Sequence, residues 1–135
     1  MESSVPRYAH MCVLSDCTLP QAKSRVVEAL KTQGFGVLTE IDVQDTLRIK
    51  LDVTFRPYVI LGACNPVLAE RALSIDPTIG LLLPCNVCLW EEGTDTVVAI
   101  TRPDVLFGIA EHQEALESVM QEARTRLNRV AESLT

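Results

Sequence analysis

From Glu111 to Leu134 the chain places apolar residues at three- and four-residue intervals: Leu116, Val119, Met120, Ala123, Leu127, Val130, Ala131 and Leu134. With about 3.6 residues per turn, that spacing gathers them on one face of an α-helix. Glu111, Glu114 and Glu117 crowd the start of the run, where the helix dipole is positive and carboxylates are favoured. A long helix with a single apolar face needs an apolar surface to lie across. The rest of the chain reads as the material for a sheet.

Residues 1 to 6 read as a loose tail, followed by a strand from Tyr8 to Leu14 with Tyr8, His10 and Cys12 on one face and Ala9, Met11 and Val13 on the other. Thr18-Leu19-Pro20-Gln21 has capping-box spacing with proline in the first turn, where its missing N–H costs nothing. The helix it opens carries Ala22, Val26, Ala29 and Leu30 and stops at Gly34, a residue free to turn left-handed. Phe35 to Glu40 is strand-like, and Asp42 caps a short helix holding Val43, Leu47 and Leu51. Arg56-Pro57 precedes a strand from Tyr58 to Ala63, a position proline tolerates. Asn65-Pro66 opens another helix, through Leu68, Ala69, Ala72 and Leu73, which Asp76-Pro77 ends.

Pro84 to Glu91 and Thr96 to Thr101 return to strand, joined by the turn residues Glu92-Gly93-Thr94-Asp95. Pro103-Asp104 opens a short connection to the last helix. This closing hairpin argues against a purely parallel wound sheet. The order predicts an α+β fold, a mostly antiparallel sheet covered by helices. With 135 residues and no linker, residues 7 to 134 read as one domain.

A net charge of −6 with no run of basic residues excludes the electrostatic footprint of nucleic-acid binding. The longest apolar stretch, Ile79 to Leu83, is far short of the roughly 20 residues of a spanning helix. The N-terminus shows no basic segment or apolar signal core, so a cytoplasmic protein is expected. No nucleophile triad, phosphate loop, dinucleotide glycine motif or paired-histidine metal motif occurs. That argues against a conventional hydrolase, kinase or dehydrogenase.

The chemistry concentrates in two Cys-Asn pairs, Cys64-Asn65 before Pro66 and Cys85-Asn86 after Pro84. Five cysteines cannot all pair within one chain, which with the missing signal peptide points to reduced thiols. Cys85-Asn86-Val87-Cys88 matches C-x-x-C, but a strand puts its ends on opposite faces about 10 Å apart, too far for a disulfide. Cys88 is expected as a small buried apolar residue. Cys64 adjoins a helix start, where free N–H groups favour a thiolate; Gly62-Ala63-Cys64 is equally a row of small residues for close packing. Cys85 should face inward with Val87 and Leu89, and Asn86 outward with Cys88 and Trp90. If their strands are neighbours, the two thiols meet. Two thiols are too few for structural zinc, which takes four ligands. Arg56 and Tyr58 share a strand face and offer an anion a guanidinium fork and a phenol.

Gly34 to Val43, Phe55 to Pro66 and Gly80 to Val87, taken in order with the long last helix, resemble the domain of unknown function 302 family over residues 7 to 134. The resemblance implies an α+β fold of the TATA-binding-protein-like type with a curved antiparallel sheet, and a homodimer. It implies no activity. Cys12, Cys17 and Cys88 depart from the family pattern and are assigned no shared function.

The leading functional reading is a homodimer that is not a conventional enzyme and binds a small molecule or soft metal. Its candidate ligand-binding residues are Cys64, Asn65, Cys85, Asn86, Arg56 and Tyr58, with Cys64 and Cys85 as candidate metal ligands. One alternative is a thiol enzyme or redox protein with Cys64 as nucleophile and Asn65 or Asn86 stabilising negative charge. The other is an interaction module in which the motifs serve packing only.

Overall fold

Local capping decides where the helices begin. In the computed structural model, which describes residues 5–135, Thr18 and Gln21 form a reciprocal capping box on α1 (Leu19–Thr32). The Asp42 side chain caps α2 (Val43–Leu51), and the Asn65 side chain caps α3 (Pro66–Ile75). Each cap satisfies a helix N–H that has no intrahelical partner. Gly34, at φ +80°, ends α1 as expected. The part of the expected tail over residues 1–4 lies outside the described residues.

Between these helices run β1 (Ala9–Leu14), β2 (Gly36–Asp42), β3 (Tyr58–Cys64), β4 (Cys85–Glu92) and β5 (Asp95–Thr101). They form one antiparallel sheet in the order β1-β5-β4-β3-β2. The short α4 (Pro103–Leu106) leads into α5 (Gln113–Ser133), whose start is held by the Gln113 amide donating to the Phe107 and Ala110 carbonyls. The fold is α+β, as the element order predicts.

Residues opposite each other in an antiparallel pair share a face, so the register sorts the sheet into two sides. Leu61, Val87 and Ile100 line up across three strands, as do Val59, Leu89 and Val98. All six are buried with the stripe of α5, where Leu116, Val119, Met120, Ala123, Leu127 and Val130 lose their exposure. Each buried side chain of this size contributes about 1.5–3 kcal/mol relative to exposure. Residues of α1 and α3 complete this cluster, which makes α1, α3 and α5 the cover of one face.

The opposite face carries Met11, Ile41, Tyr58, Ile60, Cys88, Trp90 and Ala99, and none of them belongs to the core cluster. Tyr58 stacks on Trp90 with ring centroids 5.5 Å apart. Cys88 lies here, half-buried, rather than fully buried as its apolar neighbours in sequence suggest. Helix α2 also stands apart: no residue of it is buried. No helix among the described residues is long and apolar enough to cross a membrane.

Candidate functional site

The sheet order makes β3 and β4 neighbours, with Ala63 directly opposite Cys85. Neighbouring strands lie about 4.8 Å apart, and β3 ends at Cys64, one residue beyond Ala63 and so diagonal to Cys85. Both cysteines line one small cavity of about 30 Å³. Its other walls come from α3, α5, the start of α4 and connecting segments, including Phe35, Leu68, Leu83, Phe107 and Val119. Nearly all of that lining is apolar. The space exceeds the roughly 10–15 Å³ that one small occupant needs and is far below the roughly 300 Å³ of a drug-sized pocket.

Asn65 holds the cavity rim together. Its Oδ1 accepts from the Leu68 N–H at 3.2 Å, and its Nδ2 donates to the Gln33 carbonyl at 3.4 Å. Arg126 of α5 donates to the same carbonyl at 3.2 Å. One side chain therefore ties the start of α3 to the end of α1, and the hinge point is Gly34, where an added Cβ would stand 2.9 Å from Asn65 Nδ2. With its Oδ1 and one Nδ2 hydrogen engaged, Asn65 serves to position the site.

The strands that carry the two cysteines meet in an equally tight contact. A Cβ on Gly62 would lie 2.3 Å from Thr39 Oγ1 and 2.9 Å from the Pro84 ring. Gly62 precedes Ala63-Cys64 and Pro84 precedes Cys85, so β2, β3 and the start of β4 approach closely next to both cysteines. The small-residue run is thus a packing requirement and also a means of placing the two thiols.

Electrostatically the pair is quiet. Burial pushes the Cys64 thiol above its ordinary value. Burial first, and the neighbouring Cys64 second, push Cys85 up to about 12. A helix start beside Cys64 predicts a shift in the other direction; the desolvation of a thiol in an apolar cavity outweighs it. Both shifts disfavour the resting thiolate that a nucleophile requires.

The remaining sequence candidates lie elsewhere. Asn86 is exposed on the uncovered face opposite Gly62, and its carbonyl accepts from Thr101 Oγ1. Tyr58 stands at the other end of β3, about 20 Å from Cys64 at 3.3 Å per residue, stacked on Trp90. Its phenol is pushed up to about 12, by burial first and by Cys88 second. Arg56 is already paired with Glu92 at 3.4 Å on the surface. The structure brings together Cys64, Asn65 and Cys85, and leaves Asn86, Arg56 and Tyr58 outside. Sequence reasoning missed Gly34, Gly62 and Phe35 as site-forming residues. Glycine at Gly34 and Gly62, each beside a motif, was the available signal.

A family model described as "Domain of unknown function DUF302" matches residues 11–134. Among solved structures the chain is similar to the "crystal structure of uncharacterized conserved protein DUF302 from Bacillus stearothermophilus". Their sequences are 28% identical, and the match covers 96% of this chain and 100% of that one at a TM-score of 0.86. No curated protein matches the chain.

Proposed function

The chain belongs to the family of domain of unknown function DUF302, and from that premise we propose a cytoplasmic, homodimeric binding protein whose site is the cavity between Cys64 and Cys85. The observation that carries this reading is the convergence of Cys64, Asn65 and Cys85, from strands separated by a helix, on one apolar space. The cavity's volume favours an ion or very small molecule over a metabolite.

A homodimer is supported by the uncovered sheet face and by α2. Leu38, Ile49 and Leu51 are 65% to 68% exposed, and with Ile41, Val53 and Phe55 they form an apolar surface around β2, α2 and the start of β3. Contiguous patches of this kind mark interaction sites.

Metal and small-molecule analysis by mass spectrometry of anaerobically purified protein tests the binding site. The wild type is expected to carry an occupant that Cys64→Ser and Cys85→Ser both lose while keeping the wild-type circular dichroism spectrum. Equal content in all three proteins overturns the reading.

A further inference from the structure

Several features fall short of a site. The groove of Tyr8, Met11, Tyr58, Cys88 and Trp90 on the uncovered sheet face has no polar group aimed into it that selects an occupant. The Arg71–Glu122–Arg126 chain between α3 and α5 is satisfied internally, with ion-pair distances of 3.2 and 3.1 Å. His10 on β1 has a buried Nε2 without a hydrogen-bond partner, and Arg102, Asp104, Arg124 and Glu132 surround it. None of these groups is a soft ligand. The thiol pair remains.

We propose that Cys64 and Cys85 form a two-coordinate site for a soft monovalent cation, copper(I), with the two sulfurs as its only protein ligands. This deepens the cavity reading above and rests on it. The donor set decides the metal. Among the described residues no group of three or more His, Cys, Asp or Glu side chains is placed to share an ion, so a tetrahedral zinc site and an oxygen-lined calcium or magnesium site both lack their ligands. Sulfur donors favour copper(I), zinc and iron–sulfur clusters; zinc and the clusters take about four ligands, whereas a d10 monovalent ion is content with two in a linear arrangement.

The surroundings suit that ion. The cavity is small and apolar, which excludes the water that drives copper(I) to disproportionate. Cys64 is half-buried while Cys85 is buried, so the ion meets the outer thiol first and passes to the inner one. Binding breaks two S–H bonds, forms two Cu–S bonds and releases two protons to solvent, with no change in oxidation state. The resulting bis-thiolate complex carries one negative charge. Helix α3, which begins immediately after Cys64-Asn65, presents its positive end to that charge.

Anaerobic titration with copper(I), in competition with a chromophoric copper(I) chelator, tests the proposal. One ion per protomer is expected in the wild type, with affinity falling at least a hundredfold in Cys64→Ser and in Cys85→Ser and unchanged in Cys12→Ser and Cys88→Ser. Zinc(II) should not compete. The copper(I) proposal is overturned by unchanged affinity in Cys64→Ser, or by equal loss in Cys88→Ser. If copper(I) does not bind and a different occupant still depends on Cys64 and Cys85, the cavity reading stands and the choice of metal fails. If no occupant depends on either thiol, both fail.

Discussion

Replacing Gly62 by alanine is expected to lower the unfolding free energy by about 1–3 kcal/mol, the range for forcing an extra carbon into a packed site. The melting temperature should fall by roughly 5–10 °C. The new Cβ meets Thr39 Oγ1 at 2.3 Å and the Pro84 ring at 2.9 Å. Threonine is branched at Cβ, so rotating its hydroxyl away brings another substituent round, and a proline ring has little freedom to yield. The strand must therefore shift, and with it the spacing of Cys64 and Cys85. Adding Thr39→Ala to Gly62→Ala should recover part of the loss, because it removes the closer contact and leaves the Pro84 contact in place. Urea denaturation of the four proteins measures that coupling. A Gly62→Ala protein as stable as the wild type would show that the motif is not held by this packing.

The second large effect concerns assembly. Replacing Ile49 by aspartate is expected to weaken self-association at least tenfold, equivalent to about 1.4 kcal/mol, as read by sedimentation over a range of protein concentrations. Helix α2 has a side-chain cap at Asp42 and a left-handed stop at Asp52, yet none of its residues is fully buried and Val43 and Leu47 are only half-buried. A helix this short gains most of its stability from packing, and the exposed Ile49 and Leu51 are the surface that a partner would cover. The control is Leu81→Asp, an exposed position in the Pro77–Leu82 segment outside the α2 patch, which should leave association unchanged. Equal association by wild type and Ile49→Asp excludes α2 from the interface.

What the sequence made legible was local. Thr18 and Gln21, Asp42, Asn65-Pro66 and Gly34 mark helix ends because capping needs only residues a few positions apart, and all four act as read. The stripe of α5 was legible for the same reason: its period is a property of the segment alone. The sheet order was not, since nothing within β3 or β4 names its neighbour across the intervening helix. The meeting of Cys64 with Cys85 stayed conditional until β3 and β4 were seen side by side. Arg56 and Tyr58 shared a face with the motif strand but not its end, a distinction that needs the register. Cys88 reads as core among Val87 and Leu89, but strand alternation turns it to the face that no helix covers. Of the two readings of Cys64, the thiolate one rested on a helix start, which is visible in sequence, whereas the apolar cavity that raises its thiol is not.

The central claim is that Cys64 and Cys85 act together as one site in the folded protein. A trivalent aryl arsenoxide tests this directly, because it condenses with two adjacent thiols, forming two As–S bonds and releasing one water, and does not hold a single thiol stably. One arsenic per protomer is predicted for the reduced native protein, with peptide mapping placing the bridge between Cys64 and Cys85. No dithiol adduct, or a bridge through Cys12, Cys17 or Cys88, would contradict the account.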